Sequence, residues 1–212
     1  MPEMDLTLYV IPDVKIGFGR SHVELAEETL KGGATVIQLR DKEKSGRELY
    51  SIGLELRKLT NKHGAMFIVN DRLDIALATG ADGVHLGTKD LPISIARKIA
   101  GKNFIIGASV SSIDEAIKAE EDGADYLSVQ SIFPTTSKED IKTVGLELLK
   151  KIIDSTSLPV IAIGGINTDN ICKVIKKGAK GVAVISAIVS KPDVKKATEE
   201  LKRKIQTCLP LF

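Results

Sequence analysis

The chain has 212 residues, 43% hydrophobic and 27% charged, with 30 Lys and Arg against 28 Asp and Glu. That is enough apolar chain for one sizeable core, while a net charge of +2 and 4% aromatics without Trp argue against a phosphate-coating or base-stacking nucleic-acid binder. Two cysteines, Cys172 and Cys208, are too few for a disulfide framework and fit a reducing cytoplasm, and no apolar run is long enough to span a bilayer.

Apolar runs of strand length recur at Leu6–Ile11, Thr35–Leu39, Met66–Val69, Gly83–Leu86, Phe104–Gly107, Tyr126–Val129, Pro159–Ile163 and Gly181–Ile185. The stretches between them repeat apolar residues at helical spacing, as at Leu49, Ile52, Leu56 and Leu59. Ser21 with Glu24, Ser45 with Glu48 and Ser112 with Glu115 have the form of capping boxes. A Gly-Ala pair stands before every second strand, at Gly33, Gly80, Gly123 and Gly178, where a left-handed glycine stops the preceding helix. Eight strands alternating with eight helices predict parallel pairing and a single α/β domain over residues 1–212. The eight-fold count favours a closed (β/α)8 TIM barrel over an open sheet.

In such a barrel the chemistry gathers at the carboxyl ends of the strands. On the second strand, Ile37 and Leu39 face the helices, so Gln38, Arg40 and Lys42 point into the barrel or its mouth. Two cations and an amide on one inward face favour an anion site. Asp71 and Asp90 end the third and fourth strands on one rim. Each alone reads equally well as a cap or turn residue; beside cations, the pair suits Mg2+ next to a phosphate-rich ligand. Ser109 ends the fifth strand and is free for ligand, the capping role there belonging to Ser112. The segment 132–145 carries hydroxyls and Lys138 and is read as a binding loop. Gly164-Gly165-Ile166, with Asn167 as a helix cap, and Ile185-Ser186 after the last strand suit a second phosphate. His85 is alone on its strand and is read as structural, and no Ser-His-Asp, Cys-His or zinc spacing is present.

Gln38-Leu39-Arg40-Asp41-Lys42, Val69-Asn70-Asp71-Arg72, Val84-His85-Leu86-Gly87 with Asp90-Leu91-Pro92, Gly107-Ala108-Ser109, Phe133-Pro134-Thr135 with Lys138, and Gly164-Gly165-Ile166 follow in order. On these motifs the chain resembles the thiamine-phosphate synthase family along essentially its whole length. The resemblance implies a cytoplasmic, Mg2+-dependent transferase that joins hydroxymethylpyrimidine diphosphate to hydroxyethylthiazole phosphate and releases pyrophosphate. It implies that Gln38, Leu39, Arg40, Asp41, Lys42, Asn70, Ser109 and Lys138 hold the pyrimidine diphosphate, with Arg40, Lys42 and Lys138 acting in catalysis. It further implies Asp71 and Asp90 for the metal, and Thr135, Thr136, Ser137, Gly165, Ile185 and Ser186 for the thiazole phosphate. Ser137 stands where the family commonly has a second Thr, and Thr88 where it commonly has Gln. The partners implied are small molecules, with no nucleic acid or membrane, and a homo-oligomer is left open. The rival readings are a thiazole tautomerase of the same lineage, which has no use for a diphosphate site, and a non-catalytic phosphate-binding barrel.

Overall fold

The computed structural model describes residues 4–134 and 143–208. Eight parallel strands close into a barrel: β1 (Leu8–Val10), β2 (Val36–Leu39), β3 (Met66–Asn70), β4 (Gly83–Leu86), β5 (Ile105–Val110), β6 (Tyr126–Val129), β7 (Val160–Ile163) and β8 (Gly181–Val184). The order around the barrel is the chain order, and β1 pairs with β8 through Tyr9 and Ala183. The helices are α1 (His22–Lys31), α2 (Gly46–His63), α3 (Leu73–Ala78), α4 (Ile93–Ala100), α5 (Ile113–Glu121), α6 (Gly145–Ser155), α7 (Ile171–Lys176), α8 (Ser186–Val189) and α9 (Val194–Cys208). All eight expected strands are present, and the closed barrel is the one expected. Nine helices are described where eight were expected, because a single turn, α8, follows β8 before the last long helix begins.

The caps divide. Ser21 and Ser45 each form a complete capping box with the glutamate three residues on. Ser112 accepts from the Glu115 N–H, but the Glu115 carboxylate reaches past it to the N–H and hydroxyl of Ser111. Asn167 does not cap α7; that position falls to Asn170, and the Asn167 side chain accepts from Asp169 instead. The four glycines of the Gly-Ala pairs all have positive φ, between 64° and 102°.

After three of those pairs the next residue ties down the strand before it. Thr35 accepts from the N–H of Leu8 at 3.0 Å, Asp82 from Phe67 at 2.7 Å and Asp125 from Ile106 at 2.7 Å. Arg57 and Arg97 pair with the two aspartates. The amino-terminal rim is therefore sewn by side chains in strand pairs.

Alternation along the strands divides the buried residues into two layers. Outward residues such as Ile37, Leu39, Phe67, Val84 and Leu127 pack under the helices. Inward residues fill the barrel: Tyr9, Val36, Ile68, Ile105, Tyr126, Ile161 and Ala183. The Tyr126 ring occupies the space a side chain would need at Gly107, where a Cβ would collide with the phenol.

From sequence, the two cysteines read as too few for a disulfide framework and as fitting a reducing cytoplasm. The structure joins Cys172 of α7 to Cys208 at the end of α9 in a disulfide, with Cα atoms 5.2 Å apart. Spacing in sequence gave no sign of it: the bond spans 36 residues, and the docking of α9 on α7 brings its ends together.

Two stability tests follow from this packing. Gly107→Ala should destabilise the fold by about 1–3 kcal/mol, through overpacking against Tyr126, read as a lower midpoint of denaturant unfolding with unchanged slope. Reducing the Cys172–Cys208 bond should cost about 2–4 kcal/mol, and the Cys172→Ser variant should match the reduced protein and lose its response to reductant.

Candidate active site

A cavity of about 570 Å³ opens at the carboxyl ends of the strands. Gln38, Arg40, Asn70, Ser109, Gly165, Ile185 and Ser186 all line it. These are seven of the residues expected at the site. They arrive there because alternate positions of a strand face the same way, so Gln38 and Arg40 turn inward together.

The same alternation sends two expected residues elsewhere. Leu39 is buried in the layer under the helices. Asp41 also points outward, with its carboxylate 3.5 Å from the buried Nε2 of His22 and accepting from the N–H of Glu43. Burial holds the His22 imidazole below its ordinary pKa, with Asp41 opposing that shift. Lys42 is exposed on the rim, 3.6 Å from the Asp71 carboxylate. Thr135, Thr136, Ser137 and Lys138 lie outside the described residues.

Asp71 and Asp90 meet on the rim beside Lys42. Asp71 has a φ of 61°, with its N–H held by the carbonyl of His85 at 2.9 Å. A left-handed non-glycine residue is a strained feature more often found at sites than elsewhere. Asp90 is fixed by the N–H of Gly87 at 2.7 Å. Partial burial, then the adjoining Asp90 carboxylate, push the Asp71 pKa up, against the pull of Lys42. Two carboxylates crowded in this way suit a hard divalent cation that keeps much of its water and takes oxygens from a phosphate. No cluster of three or more His, Cys, Asp and Glu side chains occurs among the described residues, so the donor set here is this pair plus whatever water and ligand supply.

Across the mouth, Gly164 and Gly165 have φ of 108° and 63°, and a Cβ at Gly165 would run into the carbonyls of Phe133 and Pro134. Only glycine lets the chain pass there. Ser186 begins α8, whose first N–H groups have no carbonyl within the helix. Backbone donors and a hydroxyl therefore face the cavity on this side.

The sequence reading missed the floor. Tyr9, His85 and Ser128 line the cavity from below, and Lys15, Gln130 and Ser131 from the sides. Gln38 Nε2 donates to the Tyr9 hydroxyl at 2.7 Å, the Tyr9 and Tyr126 hydroxyls are 3.1 Å apart, the Tyr126 hydroxyl is 3.0 Å from His85 Nδ1, and His85 Nε2 is 2.9 Å from Ser109 Oγ. Burial lowers the His85 pKa to about 4, so the imidazole is neutral at physiological pH. Burial likewise raises both tyrosines. The signal that could have found these residues is parity: Ser128 and Gln130 stand on β6 and just beyond it as Gln38 and Arg40 do on β2.

A model of the family described as thiamine monophosphate synthase matches residues 8–188. The chain belongs to that family. It is 52% identical over 204 residues to thiamine-phosphate synthase of Pyrococcus furiosus, covering 96% of this chain and 97% of that protein. It is 48% identical to the thiamine-phosphate synthase of Clostridium tetani, over 93% of this chain and 95% of that one. The solved structure of thiamine phosphate pyrophosphorylase from Pyrococcus furiosus superposes with a TM-score of 0.91 at 51% identity, covering 98% of both chains. A 3-hexulose-6-phosphate synthase structure, 20% identical with a TM-score of 0.68, shares the fold.

The raised pKa of Asp71 sets the sign of a stability test. A carboxyl whose folded pKa is raised favours folding while protonated, and that contribution is lost as pH rises through the folded value. At neutral pH without divalent cations, Asp71→Asn should therefore be at least as resistant to thermal unfolding as the parent, since Asn tolerates the left-handed backbone. Any advantage should shrink as the pH is lowered and the parent's carboxyl protonates.

Proposed function

We propose that the protein is a thiamine-phosphate synthase, which condenses hydroxymethylpyrimidine diphosphate with hydroxyethylthiazole phosphate to thiamine phosphate and pyrophosphate. The observation that carries this reading is that one cavity mouth presents cations and a carboxylate pair on one side and glycine backbone with a hydroxyl on the other, which supports two separate sites for anions. Arg40, with Lys42 and the Asp71–Asp90 pair on the rim beside it, stands on one side; Gly165, Ile185 and Ser186 stand on the other. A barrel that handled a single monophosphate would have no use for the first side.

In the reaction, the bond from the pyrimidine methylene carbon to the diphosphate oxygen breaks and a bond from that carbon to the thiazole nitrogen forms. The nitrogen supplies its lone pair, so no proton has to leave for the bond to be made. This agrees with a floor whose one histidine is neutral and fully engaged with Tyr126 and Ser109. Gln38, Asn70 and Ser109 orient the pyrimidine. Arg40 and Lys42, joined by Lys138, meet the charge that grows on the departing pyrophosphate, an interaction stronger in the transition state than before it. Asp71 and Asp90 would hold Mg2+, which when bound neutralises diphosphate charge. Gly165, Ile185 and Ser186, with Thr135, Thr136 and Ser137, hold the thiazole phosphate next to the carbon it attacks, and catalysis is then largely placement and charge stabilisation. Leu39 and Asp41 shape the strand end from its outer side. The setting that suits this chemistry is cytoplasmic; no helix among the described residues is long and apolar enough to cross a membrane.

The test is pyrophosphate release on mixing both substrates with Mg2+, together with titration of each ligand alone. The diphosphate should bind strongly only with Mg2+, and the thiazole phosphate without it. Arg40→Ala should lower kcat by about 10²–10³; a rise in KM at constant kcat would assign Arg40 to uniform binding instead. Failure of the diphosphate to bind under any condition, with tight binding of the thiazole phosphate, would put the tautomerase in place of the synthase.

A further inference from the structure

The chain of buried hydrogen bonds under the cavity joins two residues that face the ligand, Gln38 and Ser109, through three that the reaction does not otherwise use. Each phenol has one proton to give. Gln38 turns its Nε2 to the Tyr9 oxygen, so Tyr9 accepts there and gives its own proton to Tyr126. Tyr126 then gives its proton to His85 Nδ1. A neutral imidazole that accepts at Nδ1 carries its hydrogen at Nε2, and that hydrogen goes to Ser109 Oγ. The Ser109 proton is left for the cavity. At the far end the Gln38 carbonyl oxygen, which accepts nothing from the described residues, is left for it too.

The opposite direction fails. With Nδ1 protonated, Tyr126 would donate to Tyr9, and the Tyr9 proton, wholly enclosed, would face an N–H of Gln38. An enclosed donor without an acceptor is costly. Only by turning the Gln38 amide end for end, along with both phenols and the imidazole tautomer, could the direction reverse. The two cavity-facing groups are thus coupled across the barrel, and one cannot change character without the other.

We infer that Tyr9, Tyr126 and His85 are positioning residues that preset Gln38 as an acceptor and Ser109 as a donor, so that the site takes an amino-substituted heteroaromatic ring and refuses its oxo counterpart. An aminopyrimidine offers amine hydrogens to a carbonyl and a bare ring nitrogen to a hydroxyl. The oxo analogue puts a carbonyl oxygen where the amine stood and a proton on a ring nitrogen, and so meets acceptor with acceptor. This inference rests on the pyrimidine diphosphate reading above and adds to it the device that selects the ring.

The experiment compares kcat/KM for the aminopyrimidine diphosphate and its oxo analogue, in the parent enzyme and in Tyr126→Phe, which keeps the ring but cuts the chain. The parent should prefer the amine by a factor on the order of 10⁴, and Tyr126→Phe should lose about tenfold or more of that preference while its KM for the thiazole phosphate stays unchanged. Tyr9→Phe cuts the chain one link earlier and serves in the same way if Tyr126→Phe does not fold. Nitrogen-15 spectra of the parent, with the His85 signals assigned by their loss in His85→Gln, should show the Nε2–H tautomer. A purely structural role would slow both substrates alike, so an unchanged preference in an active variant overturns the inference, as does an Nδ1–H tautomer in the parent. Absence of pyrophosphate from the parent with the aminopyrimidine diphosphate overturns the proposed function and this inference with it.

Discussion

A buried polar group left without a partner costs about 1–3 kcal/mol, and this barrel encloses two phenols, an imidazole and an amide beneath its mouth. Such a floor is stable only if each group is matched to the next, and that requirement reaches well beyond the groups themselves. Tyr126 needs the space that Gly107 leaves open. His85 must stand beside β5 at the height of Gly107 to reach Ser109, two residues further along that strand. Tyr9 must sit where β1 closes against β8. Barrel closure, an inward glycine and the placing of ligand groups are therefore one constraint seen at three points.

Above the floor, strand parity and loop geometry take over. Parity alone decides that Arg40 enters the cavity while Leu39 and Asp41, its neighbours on either side, go under the helices and against His22. On the rim, where strands have ended, position is fixed by single contacts instead. Asp71 is swung into place by a left-handed backbone held to the His85 carbonyl, and Asp90 by the Gly87 N–H. The carboxylate pair is thus anchored to β4, which carries the histidine of the floor, and to Gly87 immediately beyond its end.

The parts of this molecule legible in its sequence are those written by local rules. Strand spacing, two capping boxes and the Gly-Ala stops depend on residues within a few positions of one another, and they led directly to the barrel. So did the inward set of β2, because alternation needs only one strand to be read. What escaped needs register between distant strands or the docking of distant helices. Nothing near Tyr9 or Tyr126 in sequence announces that their hydroxyls meet, and nothing near Cys172 announces Cys208. Asn167 marks the other limit: it has a competitor three residues on, Asn170, and the choice between them turns on backbone angles that residue type does not fix, whereas Ser112 caps as expected and only the return contact of Glu115 passes to Ser111.

The sewn amino-terminal rim bears on how such a barrel can be rearranged. Thr35, Asp82 and Asp125 bind β2 to β1, β4 to β3 and β6 to β5 at their bases, while β2 meets β3 and β4 meets β5 there through backbone alone. The first three strand pairs are in this sense doublets, each carrying its own fastening. New chain ends opened between doublets would leave every fastening intact, whereas ends opened inside one would separate a side chain from the strand it anchors. Duplication, exchange or splitting of the chain has natural joints, and they lie on the face away from the chemistry.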